Sequence, residues 1–166
     1  MDTLQILEAA SYLVTIVGLP FAIGVFIFEQ RRERANEEEE IFLKLSDDYS
    51  RFMQLVLQNA DLQLRSAVVK TDLDDEQRER KLVLFALLVS LFERAYVLVY
   101  EDDMSRQQRR LWGTWEDYMR EWCKRADFRA ALPELMNGED PDFARTIQRI
   151  AAEEGQAAAA LSVEKA

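Results

Sequence analysis

The pattern of apolar and charged positions divides the chain into blocks of different helical character. Residues 9–28 carry no charge; at about 1.5 Å per residue, a helix of that length crosses the roughly 30 Å hydrocarbon core of a bilayer. Residues 29–40 (EQRRERANEEEE) are nearly all charged and lack Gly and Pro, which predicts a solvated stalk continuing the same helix. Phe42, Leu45, Tyr49, Phe52, Val56 and Asn59 then recur at alternating three- and four-residue spacing, the stripe of a packed amphipathic helix ending near Asn59. Residues 61–70 read as a connection or a short helix. Thr71 with Asp74 resembles a capping box, and Asp75, Glu76 and Glu79 suit a helix N-terminus electrostatically.

Residues 82–100 (LVLFALLVSLFERAYVLVY) form the second apolar stretch. Glu93 and Arg94 interrupt it, and each would cost about 2.5–3.5 kcal/mol near mid-bilayer. The stretch is therefore expected to be the central core helix of a bundle, with a second span as the alternative. Ser105 is the expected N-cap of the next helix. Its inner stripe is Leu111, Trp115, Tyr118 and Trp122, widened by Trp112, Met119 and Cys123. That face is expected to pack on Phe85, Phe92 and Tyr96; an aromatic pocket for a ligand or peptide is the alternative. Gly113 in mid-helix predicts close approach by a neighbour. Residues 127–136 make one or two turns punctuated by Pro133, and Asn137-Gly138 supplies a turn. Asp140-Pro141 is an N-cap followed by proline at the first helical position. Phe143, Ile147, Ile150 and Ala151 give the last helix its buried face, and the Ala-rich residues 153–166 are expected to fray.

These blocks predict an all-α protein: a short extracytoplasmic N-terminus (1–8), a transmembrane helix (9–28), a stalk (29–40), a cytoplasmic bundle of about four to five helices (41–152) and a tail (153–166). The start is acidic (Asp2, Glu8), and the basic cluster Arg31, Arg32, Arg34 follows the apolar run. That order suits an uncleaved anchor with the N-terminus outside and the C-terminal body in the cytoplasm. Within the span, Glu8, Ser11, Thr15, Gly18, Ala22 and Val25 share one face. Gly18 and Ala22 form a small-x-x-x-small pair, which predicts self-association into a homo-oligomer. Pro20 removes a backbone hydrogen bond and predicts a kink.

Composition narrows the chemistry. The formal charge is −10, so nucleic acid is not an expected partner. The chain has no histidine, which excludes Ser-His-Asp and Cys-His nucleophiles and HExxH zinc sites. The acidic run near residue 75 lacks the glycine and alternating ligands of an EF-hand. No metal, cofactor or catalytic residue is assigned; Asp47, Asp48, Glu93 and Asp102 are the carboxylates available for acid–base work. The lone Cys123 is expected to fill core space, although Lys124 and Arg125 beside it could lower its pKa. Arg106, Arg109, Arg110, Arg120, Lys124, Arg125 and Arg129 make one segment locally basic. This segment is expected to pair with the acids at 72–79; contact with lipid headgroups or an anionic ligand is the alternative.

A short N-out span, an Arg-rich flank, IFLKLSDDYSRF at 41–52 and LWGTWEDYMREWC at 111–123 together resemble small bacterial single-span membrane proteins of unknown function. The resemblance implies a helical cytoplasmic domain at the inner membrane and supplies no catalytic residues. The plan is also similar to membrane proteins that accompany some antiviral systems, except that HEPN-related ones carry the histidine this chain lacks. The expected function is a membrane-tethered, non-enzymatic interaction protein with a cytoplasmic protein partner. The alternative is an oligomeric pore-forming or membrane-perturbing effector, with Glu8 at the mouth of the pore.

Overall fold

A computed structural model describes residues 3–66 and 68–164, with the side chains of 3–17, 35 and 162–164 outside that description. Among the described residues the chain is all-α, with five helices and no strand: α1 (Thr3–Gln58), α2 (Asp75–Val99), α3 (Arg106–Cys123), α4 (Ala126–Leu135) and α5 (Pro141–Glu164). The chain divides into two units, Met1–Glu40 and Ile41–Ala166. The described residues of the first, 3–40, are the N-terminal part of α1. The second contains the end of α1 and the four remaining helices.

In the second unit, α2 and α3 are the central elements. α3 packs on α2, α4 and α5, and α2 packs on α3, α4 and α5. α2 is the one described helix long and apolar enough to cross a membrane by length and composition, and 44% of its most apolar window is buried. Its inner face, with Phe85, Leu88, Val89, Phe92 and Ala95, is sealed in the core. The predicted stripe of α1 is also visible: Leu45, Phe52 and Val56 are buried, and Phe42 and Tyr49 pack partly buried against the same core.

The helix ends follow local chemistry. Ser105 Oγ accepts the Gln108 N–H while Gln108 Oε1 accepts the Ser105 N–H, the reciprocal box expected at that serine. Asp140 Oδ1 accepts the Asp142 and Phe143 N–H groups, and α5 begins at Pro141. Gly138 takes φ 95°, which supplies the turn between α4 and α5. α2, however, is capped by Asp74 and Gln77 rather than by Thr71 and Asp74. Leu73 is buried in the core, so the chain stays non-helical until its side chain is seated. α1 ends at Gln58, where Asn59 Nδ2 donates to the Leu55 carbonyl and Asn59 Oδ1 accepts from Arg80.

The predicted face of α3 packs on the core: Trp112, Trp115, Met119, Trp122 and Cys123 are buried, and Leu111 and Tyr118 are partly buried against them. Two other sequence expectations give way. α5 continues to Glu164 instead of ending near 152, because alanine is the best helix former and Arg120 pairs with Glu153 and Glu154. Finally, a Cβ at Gly113 would meet nothing within 4 Å, so no neighbour approaches there. Gly113→Ala should therefore stabilise the protein by about 1 kcal/mol. Urea unfolding followed by circular dichroism measures this, and a loss of stability would mean an unseen close contact.

Candidate functional site

The apolar N-terminal segment comes first in the chain. The side chains of Glu8, Ser11 and Thr15 lie outside the described residues; Gly18, Ala22 and Val25 of the same predicted seam are exposed. Leu19, Phe21, Phe26 and Phe28 are 60%, 72%, 64% and 68% exposed, and Ile23 and Ile27 are also open. α1 runs through Pro20 without interruption. Arg31, Arg32 and Arg34 follow, exposed on the same helix.

The aromatic core of the second unit forms two clusters. In one, Trp122 meets Phe52, Phe85 and Phe128 with ring centroids at 5.6, 6.4 and 6.2 Å, and its Nε1 donates to the Tyr49 hydroxyl at 3.1 Å. Tyr49 also stacks on Tyr118 at 4.2 Å and meets Trp115 edge-on. In the other, Trp112 sits edge-on to Tyr96 and Tyr100, and Tyr96 reaches Phe143. Phe85, Phe92, Trp115 and Trp122 are fully buried, and Tyr96, Leu111 and Tyr118 are partly so. The tryptophans thus serve as packing, and none of them lines the clefts described below. The Trp115 Nε1 is buried without an acceptor among the described residues.

Cys123 is fully buried, and burial pushes its thiol up to about 12 against the opposing charges of Arg129 and Arg120. Of the four candidate carboxylates, Asp48 pairs with Arg51 and Arg94, and Asp47 lies nearby on α1. Glu93 accepts the Asp140 N–H at the start of α5, and Asp102 borders a shallow cleft with Tyr100, Asp140 and Asp142. The carboxyl of Glu139, which sequence reasoning passed over, is hydrogen-bonded to Glu93. That bond, with burial and the neighbouring negative charge, pushes Glu139 up to about 7.

The basic segment does not pair with residues 72–79. Asp75 and Glu76 pair within their own helix, with Arg78 and Arg80, because positions three and four apart are adjacent on a helix. Arg120 instead joins Glu116 to Glu153 and Glu154 of α5. Arg109 donates to the Met104 carbonyl. The last three cations of the segment gather at the junction of α3 and α4. Arg125 donates to both Asp127 oxygens and to the Ser66 and Gln63 carbonyls, so it clamps the α1–α2 connection. Gln63 there adopts φ 52°, and Leu62 and Leu64 anchor the connection in the core. Arg129 donates to the Cys123 and Lys124 carbonyls. Lys124 pairs with Glu121 at 2.8 Å, and Arg65 reaches the same carboxylate at 3.6 Å while lying over the Trp122 ring. The hydrogen bond from Lys124 holds the Glu121 carboxyl below its ordinary value. Between them opens a cleft of about 490 Å³, lined by Arg65, Lys124, Arg125, Arg129 and Glu121 above a partly apolar floor.

Two predictions follow from these arrangements. Glu139 keeps its proton in the folded state up to about 7, whereas its ordinary value is 4.5. Between those values the folded chain holds more protons than the unfolded one. Stability should therefore fall as pH rises through that window and level off above it. Glu139→Gln should flatten the slope in denaturation curves recorded from pH 4.5 to 8. Separately, Trp122→Phe should cost about 1 kcal/mol more than Trp115→Phe, since only Trp122 gives up a hydrogen bond. Equal losses in urea unfolding would contradict that assignment. Compared with protein-family models, curated proteins and solved structures, the chain matches none.

Proposed function

We propose that the chain is a membrane-tethered, non-enzymatic interaction protein that self-associates through its N-terminal helix. The observation that carries this is the outward display of Leu19, Phe21, Ile23, Phe26, Ile27 and Phe28 along α1. Exposing such side chains to water costs about 1.5–3 kcal/mol each relative to burial, a penalty that hydrocarbon removes. The exposed Arg31, Arg32 and Arg34 beyond them fit a cytoplasmic boundary, with the N-terminus outside and the bundle in the cytoplasm of a bacterial cell.

In this assignment α2 is the bundle's core helix rather than a second span. Its inner face packs on α3, α4 and α5, and Glu93 binds the α5 N-terminus. The exposed Val83, Leu87 and Val97 on its outer face give the bundle an apolar surface for a protein partner. Self-association draws on Gly18 and Ala22, which let helices approach closely in lipid. The bundle's interior is apolar among the described residues, which favours recognition over catalysis.

Light scattering of the full chain in neutral detergent tests this proposal. The chain is expected to run as an oligomer that Gly18→Leu dissociates. A Gly18→Leu oligomer of unchanged size would move assembly to the bundle. A full chain recovered as a monomer from detergent-free buffer would overturn the membrane assignment.

A further inference from the structure

The junction of α3 and α4 inverts the charge of the molecule. Five cations, Arg65, Lys81, Lys124, Arg125 and Arg129, pair with or adjoin two carboxylates, Glu121 and Asp127, with Glu154 and Asp117 acting on Lys124 from further off, in a chain of formal charge −10. Asp127 is shared by Arg125 and Lys81. Glu121 is shared by Lys124 and Arg65. Arg129 bonds to neutral carbonyls and has no carboxylate partner among the described residues.

We propose that this cleft binds a phosphate-bearing anion, held by Arg65, Lys124 and Arg129, with Glu121 as the internal competitor that occupies those cations in its absence. The geometry separates wall from ligand. Arg125 is only 10% exposed and its donors are spent on Asp127 and the Ser66 and Gln63 carbonyls, so it fixes the cleft's shape. Arg65 and Lys124 are about half exposed or more and are tied to Glu121 alone among carboxylates. Guanidinium groups present paired donors that match phosphate oxygens, and three cations facing one carboxylate can hold a phosphate monoester or diester as well. A cavity of about 490 Å³ suits one small ligand or headgroup. Leu64, Val69 and Ala126 give it an apolar floor for the ester's carbon atoms. A nucleic-acid strand is disfavoured by the acidic remainder of the chain. The phosphate has two candidate sources, a soluble phosphate ester and an anionic lipid headgroup.

Calorimetric titration of the full chain in neutral detergent tests the proposal, at ionic strength matched with chloride. The probes are glycerol phosphate, dihexanoyl phosphatidylglycerol and dihexanoyl phosphatidylcholine. Saturable binding of both anionic probes assigns a soluble ester as sufficient. Binding of the phosphatidylglycerol alone, with the phosphatidylcholine silent, assigns the headgroup. Lys124→Gln and Arg129→Gln should each weaken binding about tenfold, and Glu121→Gln should tighten it several-fold. The exposed Lys124 and Glu121 carry little of the fold, so those two variants keep the test decisive if Arg129→Gln unfolds. Failure of both anions to bind saturably overturns the proposal. So does binding that Lys124→Gln leaves unchanged, or that Glu121→Gln fails to strengthen.

Discussion

The packing of Trp122 is the constraint on which the second unit depends. Its ring lies against Phe52 of α1, Phe85 of α2 and Phe128 of α4, and its nitrogen is satisfied by Tyr49. One side chain of α3 thus ties three other helices together, each through an aromatic contact worth about 0.5–1.5 kcal/mol beyond the area it buries. Large rings also set the spacing. α1 reaches the bundle through Phe52 on Trp122 and through Tyr49, stacked on Tyr118 and edge-on to Trp115. Its grip is therefore one of side-chain tips, whereas α2 and α3 have backbones close enough for small residues such as Ala95 to be wholly enclosed.

Much of this was legible in the sequence wherever the cause is local. The Ser105 and Asp140 caps, the turn at Gly138 and the buried positions of α1 each follow from a residue's own chemistry or a short-range period. Errors arose where tertiary packing decides. Leu73 delays the start of α2, and Arg120 finds its acids on α5. The basic segment that supplies Lys124, Arg125 and Arg129 was visible in the sequence, but the cleft was not, because its other wall comes from the α1–α2 connection, distant in sequence and joined to it by Arg125. Glu139 escaped notice for the same reason, since its partner is on α2.

Apolarity by itself does not distinguish helices that meet lipid from helices that meet protein. α2 has the length and composition of a span, yet its inner side is enclosed by the other helices of its unit. Residues 18–28 are apolar and open on every described side chain. What separates the two is where the surface goes. One stripe of α2 is covered by its neighbours and its outer face mixes Arg94 and Ser90 with exposed Val83, Leu87 and Val97, whereas residues 18–28 have no covered stripe at all.

Arg125 couples features that would otherwise be independent. A single guanidinium donates to the carbonyls of Ser66 and of the left-handed Gln63 and grips Asp127 at the head of α4. The wall of the cleft and the order of the α1–α2 connection are thus one structural event. Whatever detaches that segment dismantles the pocket, and whatever fills the pocket restrains the segment.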